Sequence, residues 1–574
     1  MKRVFWILAL LLVPSLGWGA TYYVSQSGTG DGSAIGTPAS VATFNAGTAP
    51  FDDLDDDTVY FLDTITTTIA PADSGTSGHV ITLRGDYPSR GCTCEGSDVL
   101  SGSWTDAGGG LWTISLTGNP RYLWLDGKFA VVDASTDDDE EWTHDNVSTL
   151  TMKSSSQPAT RYTEIRYASR ANGIDISNHE YITVTGFTFS RLCKYSTTLD
   201  QYGAGAVRTN NGSNNTVTSC TFSNCSTAVS FGSASNNCVA SYNTVNGVYG
   251  YSSGKNYNGI AFWSYGANNL IHHNTVVGKV LWTTGYQNAG EGVRLHGADG
   301  QWAAFNITGS SVYSNNISYM YWYGVCVWDR DTTDGIQNVN VAIYDNIISY
   351  VQDVPATDSG DHDGIGNGGT GSTDGNHWTG IYIYRNKVSE CSNAGIHNAN
   401  AMGAGGSIRY NVVINCGLQT TSIGGIRTAN GTDVFNNIVY GSATGHGIRG
   451  DNDTVTGADP TEIKNNIIVG IDSSAKYGIY VDVEADATGS NNCIFDVPTG
   501  KETYNFTNTN GITSDPLFAN ASSYDFRLKP GSPCINTGTD VSLTTDYMGQ
   551  TVPCRGVIDI SAIEACYHLW LVGE

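Results

Sequence analysis

Positive charge is scarce in this chain: 28 Lys and Arg stand against 54 Asp and Glu in 574 residues, giving a formal net charge of -26 and a pI near 4.6. A surface of that sign repels phosphate backbones and offers them no basic footprint, so nucleic acid is not expected as a partner. Charge of either sign is also thin, at 14% of residues. Past the first twenty positions no apolar run approaches the ~20 residues of a spanning helix, so no membrane span is expected. No two CxxC knuckles are spaced as a zinc site, and the 13 Cys, being odd in number, leave at least one thiol without a partner in the chain.

What is abundant is turn-forming. Glycine accounts for 69 of 574 residues, about 12% against a usual ~7%, and Asn, Ser and Thr fill much of the rest. Such a chain makes strands and turns rather than long helices. The opening MKRVFWILALLLVPSLGWGA has a basic start, an apolar run and small residues near position 20, the layout of a secretory signal over residues 1–20. The mature protein is therefore expected outside the cytoplasm, secreted or periplasmic, where disulfides are permitted. The acidic runs DDLDDD (52–57) and DDDEE (137–141) read first as solvated loops.

A short phrase recurs along the chain: NGIDIS (172–177), GAVRTN (205–210), TAVSFG (227–232), NGIAFW (258–263), EGVRLH (291–296), YGVCVW (323–328), DGIGNG (363–368), AGIHNA (394–399), GGIRTA (424–429), HGIRGD (446–451) and YGIYVD (477–482). A second phrase of the type NNIV alternates with it. The small residue of the first phrase, Gly or Ala at 173, 206, 228, 259, 292, 324, 364, 395, 425, 447 and 478, recurs after 22 positions at the shortest and usually about 30. Two short strands per period with no helical pattern between them fit one rung of a parallel β-helix, with each strand pairing to its equivalent ~4.8 Å away. The expected fold is all-β, a right-handed parallel β-helix of about 11 or more rungs. Residues 21–170 form an N-terminal cap, first coils and a β insertion; 171–510 form the helix proper; 511–574 form a C-terminal cap segment. The column Asn243, Asn274, Asn316, Asn346, Asn386, Asn411, Asn437 and Asn466 reads as a corner ladder. Cys391 and Cys416 each follow a ladder Asn by five residues on adjacent rungs, which allows either a disulfide or two stacked thiols. Cys534, Cys554 and Cys566 are placed to lock the cap.

Strand alternation sorts the repeated phrase into faces. In EGVRLH it puts Val293 and Leu295 in the core and turns Arg294 and His296 to solvent. Aligned on the small residue, Trp263, His296 and Trp328 stack on three consecutive rungs beside Arg294, and His397 and Arg427 continue the Arg294 column. Long inserts at 275–290, 297–314, 329–344, 347–362 and 369–384 would wall a groove over that face. Aromatic rings beside a basic patch suit a sugar chain, and a surface aromatic ladder with Arg and His at its edge accounts for the same residues. Glu291 and Asp363 share one column two rungs apart, roughly 9.6 Å, near the upper end of the ~6.5 to 9.5 Å spacing of inverting hydrolases. Turn capping is the competing reading of both. Asp329 and Asp331 in WDRD, and Asp361, His362 and Asp363 in GDHDG, are possible calcium ligands on short loops that a turn also explains. The isolated GHG at 445–447 has no companion motif and reads as chance.

The opening TYYVSQSGTGDG, the DTVYFL and HVITLRGDYPSRG stretches, the coils, and the ending DPLFANASSYDFRLKPGSPCINTG followed by DISAIE resemble the secreted right-handed parallel β-helix family of pectate-lyase-like proteins. The likeness covers nearly all of the mature chain; Ser561 and Ile563 depart from it in the last motif. It implies a carbohydrate function, with a polysaccharide as partner, without choosing a chemistry. For uronate elimination it implies an Arg, Lys or His base and neutralisation by Ca²⁺ or Arg/Lys. Arg294 and His296 are the candidates, with Lys255 or Arg330 on nearby loops, Trp263, Trp328, His397 and Arg427 as substrate contacts, and Ca²⁺ as a candidate cofactor. A non-catalytic glycan-binding or adhesion protein, or a hydrolase using Glu291 and Asp363, is the alternative. A monomer is expected.

Overall fold

The computed structural model describes residues 19–118, 120, 122–130, 135–193, 205–248, 259–278, 290–297, 306–328, 337–352, 362–368, 378–398, 406–418, 424–429, 431–442, 444–451, 460–472, 475–482, 487–554 and 556–566. Residues 1–18, within the expected signal segment, and Lys255, Asp329, Arg330, Asp331 and Asp361 lie outside these, as do the central parts of the five long inserts.

Each repeat folds into one rung of three short strands, and the strands stack into three parallel sheets. Among the described residues sheet I holds sixteen strands, from Thr21–Ser25 to Asn508–Thr509; sheet II holds thirteen, from Thr64–Ile65 to Cys493–Phe495; sheet III holds twelve, from Ile174–Asp175 to Thr503–Tyr504. The architecture is a right-handed parallel β-helix. Pairing is in register, so a column of equivalent residues runs through the core: Phe262, Val293, Val325 and Ile365 are paired in turn and at most 1% exposed. One continuous apolar cluster extends from Val24 to Ile494. Because all backbone pairing runs between rungs, this column sets where every outward side chain falls.

The corner between sheets I and II carries the Asn ladder. Asn346 Nδ2 donates to Asn386 Oδ1 and to the Val312 carbonyl (both 2.9 Å), while its Oδ1 accepts from the Asn315 backbone N–H and Nδ2 (both 3.0 Å). The rung member is Asn315 and not Asn316, which lies on the following strand opposite Thr275 and Ile347. The left-handed backbone falls one residue before each ladder Asn, at Tyr242, His273, Ser314, Asp345, Arg385 and Tyr410. The ladder Asn itself is therefore held by hydrogen bonds to its neighbours above and below, not by tolerance of that conformation.

The repeated small residue is steric. A Cβ at Gly292 would lie 2.5 Å from the Gly324 carbonyl oxygen and 2.6 Å from Ile317 Cγ2. On the preceding rung this column is filled by Ala261, since Phe262 pairs with Val293, so alignment on Gly259 is out by two residues.

The segment from Ser97 to Ala168 leaves the coil as two four-stranded antiparallel sheets around their own core of Leu100, Trp104, Ile114, Leu123, Trp142 and Leu150. The C-terminal segment runs as a strap over the outer side of sheet II. Phe518, Phe526, Leu528, Ile558 and Ile560 pack on Val412, Ile414, Ile438, Ile467 and Val469, and Asn436 Nδ2 donates to the Asp559 and Ser561 carbonyls (3.1 and 3.0 Å). A disulfide joins Cys554 to Cys566. Cys391 and Cys416 are not bridged; they are buried thiols that donate to the Ser389 and Ile414 carbonyls (3.6 and 3.4 Å). The physical reason is that parallel in-register side chains keep their Cβ atoms one rung apart, ~4.8 Å, outside the ~3.5–4.5 Å that a disulfide needs. No helix among the described residues is long and apolar enough to cross a membrane.

Candidate functional site

The outer side of sheet III carries a cluster of buried titratable and aromatic groups. Register places Trp263, Arg294, Cys326, Gly366, His397, Arg427, Arg449, Tyr480 and Tyr504 in one column, one residue per rung. Glu291, Tyr323 and Asp363 form a second column beside it, and His296 pairs with Trp328 in a third.

Arg294 and His296 do not face solvent as alternation alone implies: they are 7% and 2% exposed. Alternation turns them away from the helix core, but their neighbours enclose them. Arg294 Nε donates to Glu291 Oε2 at 2.6 Å, and a second guanidinium nitrogen pairs with Oε1. The guanidinium carbon lies 4.6 Å from the Trp328 ring centroid and 5.7 Å from that of Trp263. Burial disfavours the charge, but the Glu291 carboxylate outweighs it and holds the Arg294 pKa above its ordinary value. Arg294 is thus a paired cation and not a proton acceptor. The two-residue offset at Ala261 also changes the aromatic stack: Trp263 sits opposite Arg294, and Tyr265 takes the expected Trp263 place against His296, with ring centroids 5.0 Å apart.

Two rungs from Glu291, Asp363 is fully buried and engaged at both oxygens. Oδ1 accepts the Ala394 N–H at 2.8 Å, and Oδ2 lies 2.7 Å from His397 Nδ1. On the other side of the ring Arg427 lies 3.0 Å from Nε2. A guanidinium only donates, so Nε2 accepts and the proton sits on Nδ1, pointing at Asp363. The network continues across the next rungs: Arg427 Nε pairs with Asp451, Asp451 with Arg449, and Arg449 with Asp482 at 3.2 Å. His397 is 1% exposed, whereas the Arg427 and Arg449 side chains are 22% and 19% exposed, so the cations are what an incoming anion meets first.

Flanking groups shape the surface. A Cβ at Gly366 would fall 2.5 Å from Tyr323 Cε1, so glycine there admits the Tyr323 ring between the Arg294 and His397 rungs. Further along, Tyr480 stacks on Tyr504 (4.9 Å, 6°) and His446 on Tyr480 (4.5 Å). Burial first, then Lys476 and Arg449, push the His446 pKa down to about 3, and its Nδ1 accepts the Tyr477 N–H. His446 is therefore a neutral packing residue, although GHG looked isolated in the sequence. His362 is buried, and its Nδ1 donates to the Tyr321 carbonyl at 2.6 Å.

The structure thus brings together Glu291 with Arg294, and Asp363 with His397 and Arg427. Both carboxylates are engaged, Glu291 by Arg294 and Asp363 by His397 and the Ala394 N–H. Tyr265, Tyr323, Arg449 and Asp451 complete the site and were not singled out from sequence; the shared IR of GGIRTA and HGIRGD was the signal for Arg449. Among the described residues one group of acidic side chains converges as cation ligands would, Asp137, Asp138 and Glu141 of the insertion. Asp137 and Asp138 are exposed, and Glu141 already accepts the Asp138 N–H.

No protein-family model matches the sequence, and no curated protein matches it. Among solved structures the chain is similar to XylC in its complex with xylose, at 12% identity and a TM-score of 0.53 over 95% of this chain and 98% of that one. It is also similar to pectate lyase Pel9A (13% identity, TM-score 0.40, 95% and 96% covered) and to PfbA, a surface adhesin of Streptococcus pneumoniae (12%, 0.45, 81% and 93%). At such identities likeness speaks for fold alone. Register, sheet order and the likeness to XylC agree that the chain has a right-handed parallel β-helix fold.

Proposed function

We propose that this chain is an exported carbohydrate-active β-helix protein, a polysaccharide lyase that cleaves a uronate-containing glycan by β-elimination on the outer side of sheet III. The observation that carries the reading is the Asp363–His397 hydrogen bond with Arg427 on the second imidazole nitrogen. A sugar, xylose, in the complex of a similarly folded neighbour agrees with a glycan ligand.

The catalytic roles move from Arg294 and His296 to His397, Asp363 and Arg427. A uronate carboxylate docks on the partly exposed edge of Arg427 and Arg449 and draws the Arg427 N–H away from His397 Nε2. The freed lone pair takes the proton from the carbon beside the carboxylate. Those bonding electrons form the new carbon–carbon double bond, the glycosidic C–O bond breaks, and solvent protonates the departing oxygen. Asp363 fixes the tautomer of His397 and stabilises the imidazolium. Glu291, Arg294 and the two tryptophans hold the adjoining wall. Calcium would serve as an additional neutraliser of that carboxylate; its expected ligands Asp329, Asp331 and Asp361 lie outside the described residues.

The test is incubation with alginate, pectate and glycosaminoglycans, with and without Ca²⁺, followed by ultraviolet absorbance of the conjugated product. A rise on one of them supports the proposal; silence on all of them ends it. Glycan binding without cleavage is the second reading, favoured by the 1% exposure of His397. It predicts retained affinity with no unsaturated product.

A further inference from the structure

Eleven cysteines outside the Cys554–Cys566 bond are buried thiols, and three pairs of them lie near enough to interact electrostatically: Cys92 with Cys94, Cys391 with Cys416, and Cys493 with Cys534. Their geometries differ in kind. Cys92 and Cys94 are separated by one residue of the same strand, and Cys391 and Cys416 are parallel neighbours whose Cβ atoms stand a rung apart. Cys493 and Cys534 come from different layers. Cys493 opens the strand Cys493–Phe495 at the end of sheet II, with its side chain among the apolar residues that the strap covers. Cys534 belongs to the strap, fixed by its N–H to Ser532 Oγ (3.2 Å) and by its carbonyl accepting the Ile560 N–H (2.9 Å). Both are fully buried in the apolar layer between sheet II and the strap, Cys493 on the sheet and Cys534 on the strap, where Cys493 Sγ donates to the Ser514 carbonyl (3.5 Å) and Ser532 Oγ to the Pro516 carbonyl (2.6 Å). Opposed side chains can bring Cβ atoms to bridging distance without moving a rung, which parallel ones cannot.

We infer that Cys493 and Cys534 are a disulfide site that staples the C-terminal strap to the last rungs of the helix in an oxidising compartment. Two S–H bonds give way to one S–S bond, two protons pass to solvent, and two electrons reduce an external protein or small-molecule disulfide to its two thiols. With Cys554–Cys566 the strap is then closed on itself and tied to the coil. Cys391 and Cys416 stay reduced because their thiols are seated against the small-residue column: a Cβ at Gly364 or Gly395 would lie 3.1 Å from the sulfur of Cys391 or Cys416.

The experiment is a peptide map of the full chain, purified without reductant, exposed to oxidised glutathione and unfolded in iodoacetamide. Mass spectrometry is expected to find the Cys493 peptide linked to the Cys534 peptide, with Cys391 and Cys416 alkylated. Alkylation of both Cys493 and Cys534 alongside an intact Cys554–Cys566 link overturns the inference. A second reading compares the Tm lost on adding reductant. The native chain is expected to lose more than the Cys493→Ala/Cys534→Ala variant, and equal losses overturn the staple.

Discussion

Replacing Glu291 by leucine removes the carboxylate that pairs with the Arg294 guanidinium, which is 7% exposed between two indole rings, where water cannot easily substitute. An uncompensated buried charge of this kind costs about 3–5 kcal/mol. Arg294→Met alone strands the Glu291 carboxylate, itself 0% exposed, at a similar cost of about 3–5 kcal/mol. The double variant Glu291→Leu/Arg294→Met removes both charges while methionine keeps apolar bulk between Trp263 and Trp328, so it is expected to be near-neutral or up to ~1–4 kcal/mol more stable than the native chain. The assay is a double-mutant cycle on guanidinium unfolding midpoints followed by tryptophan fluorescence. Two destabilised singles and a restored double are the expected pattern. Singles within ~1 kcal/mol of native, as for exposed pairs, would mean that Arg294 lies in solvent and that the enclosed site is wrong.

Three further outcomes follow from the same structure. Asn346→Ala deletes a side chain that makes five hydrogen bonds of 2.9–3.0 Å at 1% exposure, and the buried groups it leaves unpaired are expected to cost about 3–5 kcal/mol, read as a lower unfolding midpoint. Asn316→Ala, on the exposed strand position, is expected to change the midpoint by less than ~0.5 kcal/mol. In the strap, burial and then the Asp559 charge raise the Glu564 pKa from 4.5 to about 7. An acid raised in the folded state contributes fully below its unfolded pKa and loses that contribution as pH climbs through the folded one. Strap stability should therefore fall by roughly 3 kcal/mol between about pH 4.5 and 7, and Glu564→Gln should flatten that part of the Tm profile.

Much of this was legible because a rung repeats its chemistry in sequence. The recurring phrase and its apolar alternation already specify sheet III, its core column and the shared column of Glu291 and Asp363. His397 and Arg427 also fell correctly on the Arg294 column. What failed were decisions one or two residues wide. In SNNI either Asn could take the corner, and only pairing separates Asn315 from Asn316; in NGIAFW the nearer glycine hid the true small residue, Ala261. Alternation says which way a side chain points, not what lies on it, so the burial of Arg294 and His296 was out of reach. The Asp363–His397 bond joins residues in different columns on adjacent rungs, and the strap docks through contacts distant in sequence. Neither leaves a local pattern to read.

In the proposed elimination His397, backed by Asp363, takes the proton beside the uronate carboxylate. The most direct measurement is the rate at which ultraviolet absorbance of the unsaturated product develops on the responsive uronate glycan, compared between the native chain and a folded His397→Ala variant with an unchanged circular dichroism spectrum. The account predicts a clear rate for the native chain and, for the variant, a rate lower by at least ~10²-fold, the scale of losing a positioned base. A His397→Ala variant that cleaves at the native rate would contradict it.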